Sequence, residues 1–251
     1  MQCGVGLERD GAIATVTLAS PDKLNAMSRA MWRELKQVFE ALQADSRVRC
    51  VLVQGAGAHF CAGGDIAEYP DFRFDAQQLQ QFHEDDVWGA LSAMLACDVP
   101  VVAKIRGVCM GAGVEIASAC DLRLSTDDAK FGAPIARLGF PMAPKEAALV
   151  GAAVGDMTAR AMLLAAEVFP ASHMAAQGFL TRVVPAAELD AQCDALVHRI
   201  AGLAPQAARL NKQTLRALRG GASIENPYGY ATSPEHREGI TAFIAKRKPH
   251  F

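Results

Sequence analysis

Glu115 is the one carboxylate in a run of small and apolar residues from Gly107 to Cys120. Burying a carboxylate is costly unless it is paired or functional, and low-dielectric surroundings raise its proton affinity towards the range of a general acid or base. The bland alternative is a structural carboxylate. Glycine surrounds this residue in a pattern that neither strand nor helix propensity asks for: Gly107, Gly111 and Gly113 follow the apolar run Val99 to Ile105. A similar segment, Phe60-Cys61-Ala62-Gly63-Gly64-Asp65-Ile66, follows the run that begins at Cys50. A glycine-rich turn that feeds a helix lets the backbone approach a ligand and presents free amides at the positive end of the helix dipole, which suits an anion or an oxyanion. Tight turning or close helix packing would ask for the same residues.

Several other chemistries fail on spacing. Gly55-Ala56-Gly57 would need glycine at Phe60 for a dinucleotide fingerprint, and Gly111-Ala112-Gly113 would need glycine or alanine at Ile116. No phosphate-binding G-x-x-x-x-G-K-[ST], no G-x-S-x-G nucleophile turn, no H-E-x-x-H and no Cys/His cluster with metal-ligand spacing occurs. No metal site is therefore expected. Asp65 follows a turn and Asp121 lies between a helix and a strand, positions where an aspartate bonds backbone amides rather than doing chemistry.

The elements that must hold these residues are legible in outline. Ala12 to Leu18 is an alternating, β-branched run, and Cys50 to Val53 and Val99 to Ile105 are short apolar runs, so all three are predicted strands. Met27, Met31, Leu35, Phe39 and Leu42 recur at helical spacing behind a Ser28 cap, predicting a helix over Ser28 to Ala44. From about Pro144 the pattern is almost wholly helical, with Thr181 to Val184 its one strand-like stretch. Ser233-Pro234-Glu235 opens a last helix reaching about Arg247, and Glu68 to Asp75 is expected to be a mobile loop. The class this supports is α/β with a helical tail.

The chain has 251 residues, 51% of them apolar, and a formal net charge of −2, which leaves no basic footprint for nucleic acid and no acidic tail. Small molecules or further subunits are the expected partners. Seven cysteines without a C-x-x-C pair suit a reducing compartment, and neither a leader pattern nor a membrane-length apolar run occurs, so a cytoplasmic protein is expected.

Phe60 to Ile66, Pro100 to Glu115 and Ala119 to Arg123 together resemble the crotonase (enoyl-CoA hydratase/isomerase) family in order and spacing, and Ala242 to Pro249 is similar to its C-terminal helix. The resemblance implies a crotonase-type spiral of ββα repeats over residues 1–190. It also implies a helical C-terminal region, 191–251, that forms a homotrimer or a dimer of trimers. An acyl-CoA thioester would be the substrate, with no prosthetic group. By the same resemblance the amides of Gly64 and Ala112 would hold the thioester oxyanion and Glu115 would be an acid/base. Lys23, Leu24, Ala26, Ala62, Gly64, Asp65 and Ile66 would grip CoA, with Phe243 and Lys246 reaching its nucleotide end, often from a neighbouring subunit.

One departure matters. Where family hydratases carry a second glutamate, in a segment F-G-x-P-E, Phe131-Gly132-Ala133-Pro134 is followed here by Ile135. Hydration remains the first expectation. Double-bond isomerisation, thioester hydrolysis, decarboxylation and a non-catalytic binding role stay open beside it. His83, Trp88 and Met142 could line an acyl pocket, although packing or surface exposure would equally explain each.

Overall fold

The computed structural model describes residues 3–251. β1 (Gly4–Asp10) and β2 (Ile13–Ala19) form an antiparallel hairpin, and β3 (Cys50–Gly55) lies parallel to β2. β4 (Val101–Ile105) is followed at once by the short β5 (Val108–Met110), and β6 (Leu122–Thr126) by the short β7 (Lys130–Gly132). β8 (Val168–Pro170) and β9 (Arg182–Val184) complete the strands. They make a six-stranded sheet in the order β1-β2-β3-β4-β6-β9 and a three-stranded sheet in the order β5-β7-β8. Twice, at β4–β5 and again at β6–β7, the chain lays one long strand in the first sheet and one short strand in the second, and then returns through helix. That is the spiral of ββα repeats.

The helices are α1 (Arg29–Ala44), α2 (Ala76–Gln81), α3 (Trp88–Ala96), α4 (Ala112–Ala119), α5 (Pro144–Val154), α6 (Asp156–Leu164), α7 (Ala171–Ala176), α8 (Leu189–Ala201), α9 (Pro205–Arg219) and α10 (Pro234–Ile244). The Ser28 hydroxyl accepts from the Met31 amide at 3.2 Å and caps α1, whose Met31, Trp32, Leu35, Phe39 and Leu42 are all buried. Each such side chain contributes roughly 1.5–3 kcal/mol when removed from water.

Both faces of the large sheet are covered, so its central strands are apolar throughout rather than alternating. Val51, Val53, Val101, Ala103 and Ile105 point into the core that holds α1, α3 and α4. Cys50, Leu52, Val102 and Leu124 point the other way, onto Leu189, Cys193, Leu196, Val197 and Ile200 of α8. The division expected near residue 190 therefore falls inside a helix that packs on the sheet.

Three local expectations differ from the structure. β8 appears in the half expected to be helical apart from Thr181 to Val184; three residues paired antiparallel to β7 are too few to carry a periodic signal. The first half of the segment expected as an irregular loop belongs to a 3-10 helix, Ile66–Asp71, followed by the buried Phe72 and a turn. The last helix ends at Ile244, short of Arg247.

Candidate active site

Cys61 and Cys109 are paired in a parallel bridge, with the Cys61 amide donating to Val108 O at 3.0 Å and the Met110 amide to Cys61 O at 2.9 Å. Gly64 and Ala112 each lie three residues beyond that bridge, so two segments far apart in sequence leave the same rung together. Both residues line one cavity of about 190 Å³ together with Glu115. Among the described residues neither the Gly64 nor the Ala112 amide has a hydrogen-bond partner. Gly111, at φ 47°, turns the chain from β5 into α4, a backbone conformation that L side chains rarely adopt.

Gly113 is needed for a different reason. A Cβ there would stand 2.6 Å from the Cys61 carbonyl oxygen, so only glycine lets α4 press against the first glycine segment. Gly113→Ala is expected to destabilise the protein by about 1–3 kcal/mol through this backbone collision. Gly151→Ala in α5, where an added Cβ meets nothing within 4 Å, should instead stabilise by about 0.5–1 kcal/mol. Urea unfolding of both variants checks the contrast, and equal midpoints would contradict the close-approach explanation.

Glu115 lies one turn into α4, and helical side chains lean back towards the helix start, so its carboxyl tilts towards the Ala112 end. Burial, and next the charge of Glu146, push the Glu115 carboxyl up to about 8, while the Arg73 guanidinium opposes them. At neutral pH this group carries its proton. Arg73 itself lines the cavity, with its guanidinium 4.4 Å from the ring centre of Tyr69 and 4.1 Å from that of Phe140. Tyr69, Phe82 and Phe140 add aromatic wall, and Ile66, Ile135, Leu138 and Met142 add aliphatic wall.

The other expected site residues divide into two groups. The turn at Lys23, Leu24 and Ala26 docks directly on the first glycine segment: the Ala62 amide donates to Leu24 O at 3.0 Å, and Lys23 Nζ meets Asp65 Oδ2 at 2.5 Å. Asp65 also accepts from the Ala67 amide and Asp121 from the Val101 amide, in agreement with the backbone-bonding role expected for both. Phe243 and Lys246 form the other group. Both are exposed and neither lines the cavity in the single chain. His83 and Met142 do line it, whereas Trp88 packs on the main core.

Tyr69, Arg73, Phe140 and Glu146 were not singled out from sequence. The crowding of Tyr69, Phe72 and Arg73 in a stretch without periodicity was the available signal for the first two. Glu146 reads locally as an acid in the first turn of a helix, a solvated position in most proteins. Here it is buried, at 2% exposure.

A larger concavity of about 900 Å³ lies elsewhere, lined by Glu8, Thr17, Gln54, Lys104 and Arg106 among others. Its two cations are already paired with Asp190, so their charge is spent within the protein. Among the described residues no three His, Cys, Asp or Glu side chains group closely enough to hold a metal ion. No helix there is long and apolar enough to cross a membrane.

Residues 8–251 match the sequence family described as enoyl-CoA hydratase/isomerase. The chain is 30% identical to a protein named as a probable enoyl-CoA hydratase in Mycobacterium tuberculosis, over 98% of this chain and 96% of the relative. It is 29% identical to the short-chain-enoyl-CoA hydratase of Clostridium acetobutylicum, over 96% and 95% of the two chains. Among solved structures, one described as an enoyl-CoA hydratase/carnithine racemase from Magnetospirillum magneticum superposes with a TM-score of 0.95 at 38% identity, covering 100% of this chain and 96% of the other.

Proposed function

Since the chain belongs to the enoyl-CoA hydratase/isomerase family, we propose that the cavity binds the acyl end of a 2-enoyl-CoA and adds water across its double bond. The observation that carries this reading is the common register of Gly64 and Ala112, which leaves two unpartnered amides in a cavity shared with Glu115, whose proton affinity burial raises. The thioester oxygen would sit between the two amides. Negative charge moves onto that oxygen as the β-carbon is attacked, and donors fixed beforehand need no reorganisation to meet it. The Ala112 donor opens α4, so the helix dipole adds to it. Glu115 is then in reach of the carbon next to the carbonyl, where a proton must be delivered or removed.

Coenzyme A is a substrate part in this reading, and no prosthetic group is invoked. Lys23, Leu24, Ala26, Ala62, Asp65 and Ile66 would form the rim that meets the pantetheine and nucleotide, with the Lys23 ammonium free to turn from Asp65 to phosphate. Phe243 and Lys246 would act across a subunit boundary in a homotrimer or dimer of trimers. Support for assembly comes from the apolar side chains left open on α9 and α10, including Leu215, Leu218, Phe243 and Ile244. Seven unpaired thiols suit a reducing compartment, and the cytoplasm is the proposed location.

Mass spectrometry after incubation with four-, six-, eight- and ten-carbon 2-enoyl-CoA thioesters in heavy water tests the reaction. Gain of one heavy water is the expected result. Deuterium exchange with a shifted double bond would replace hydration by isomerisation, and release of free CoA would replace it by hydrolysis. An unchanged panel would overturn the enzymatic reading.

A further inference from the structure

Water addition moves two protons, one off the water and one onto the carbon beside the thioester, and with Glu115 serving the carbon, Ile135 offers no group to take the proton from water. Ile135 lines the cavity with an apolar side chain. Another element supplies what that position lacks. Between α2 and α3 the chain forms a π-helical turn, Phe82–Val87, a geometry that re-aims side chains and recurs at functional sites. The turn places His83 in the cavity wall that also holds Glu115. Behind it Glu146, on the first turn of α5, has a side chain only 3% exposed, and its Oε1 lies 3.1 Å from His83 Nδ1.

The start of α5 favours an acid through the helix dipole, but that interaction does not require the acid to be buried. A carboxylate buried at the base of a helix is costly, and among the described residues a partly exposed imidazole is the one side chain that bonds it. The pairing has a chemical consequence. A carboxylate on Nδ1 keeps the proton on that nitrogen and leaves the Nε2 lone pair as the ring's acceptor. Among the described residues no group bonds Nε2, and His83 is open only in part, at 21% side-chain exposure.

We propose that His83 is the second proton-transfer residue of this cavity and that Glu146 positions it, replacing the carboxylate absent at Ile135. The proposal rests on the acyl-CoA reading above and adds the division of labour within it. The oxygen of water bonds to the β-carbon while its proton passes to His83 Nε2. The π pair of the double bond moves towards the thioester oxygen held by Gly64 and Ala112, then returns to take the Glu115 proton at the α-carbon. The product leaves Glu115 as carboxylate and His83 as imidazolium, and transfer of that proton back to Glu115, directly or through water, restores both groups. No further reactant is needed.

The test measures two reactions of the same protein. Hydration is followed with the enoyl-CoA of the panel that the wild type turns over fastest. Exchange of α-hydrogens with heavy water is followed on the saturated acyl-CoA of equal length, a reaction that needs Glu115 but no activated water. His83→Ala is expected to lower kcat for hydration at least 100-fold while exchange falls at most 10-fold, and added imidazole should restore part of the lost hydration. Glu146→Gln keeps a hydrogen-bond acceptor but not the charge, so kcat should fall at least 10-fold with KM and melting temperature little changed. A merely structural Glu146 would leave kcat intact in that variant.

The outcomes separate the two readings. If Glu115→Gln abolishes hydration and exchange while His83→Ala hydrates within threefold of wild type, the proposal for His83 is overturned and the acyl-CoA reading stands. If Glu115→Gln changes neither reaction, the acyl-CoA reading itself fails. Equal loss of hydration and exchange in a folded His83→Ala, without imidazole rescue, would also overturn the proposal.

Discussion

Glu115→Gln should lower kcat for an enoyl-CoA by about 10²–10⁴-fold, the usual worth of a positioned acid/base, with KM little altered because the side-chain volume is kept. The same change should make the protein more stable at alkaline pH. In the folded state burial and the neighbouring Glu146 hold the Glu115 proton up to about pH 8, whereas an unfolded chain releases it near pH 4.3. Between those values the folded protein binds a proton that the unfolded chain does not, so wild-type stability falls as pH rises through the window and levels off above it. Glutamine binds no such proton. The variant's advantage should therefore grow from nothing near pH 4 to on the order of 5 kcal/mol at pH 9. Urea unfolding across that range, with steady-state kinetics, checks both halves. A variant as active as the parent, or one with the parent's pH slope, would remove Glu115 from the role assigned to it.

The second large effect belongs to a backbone group, which side-chain deletion does not reach. Ala112 is the first residue of α4, the position where proline is most readily accepted because its amide has no partner inside the helix. Gly111, at φ 47° and ψ −111°, is already outside the right-handed helical region that a following proline disfavours. Ala112→Pro should therefore fold and lose one donor. Loss of one oxyanion donor costs about 2.7–4 kcal/mol of barrier, or about 10²–10³ in kcat. The two large predictions differ in pH behaviour, since the proline variant keeps Glu115 and should keep the parent's stability slope. Retention of activity within tenfold by a folded Ala112→Pro would mean that this amide does not meet the developing charge.

Much of the frame was legible because it depends on neighbours in sequence. The helical spacing from Met31 to Leu42 behind Ser28, the β-branched alternation of β2 and the apolar runs of β3 and β4 each state their own conformation locally. The glycine segments were legible too, as small residues where propensity asks for none. Short strands such as β8 were not, because three residues pair only where the rest of the fold brings β7 alongside.

What the sequence by itself determined is which groups are available: the glycines that allow two turns to open into amides, a single carboxylate on the first turns of α4, and an isoleucine where a second acid was expected. Tertiary structure alone decided which groups meet. The Cys61–Cys109 rung sets Gly64 beside Ala112, Arg73 enters the wall between Tyr69 and Phe140, and Glu146 sinks from a helix start that reads as solvated into contact with His83. The physical reason is that conformation follows from local sterics and periodicity, whereas burial and proton affinity follow from distances between residues that no sequence spacing encodes.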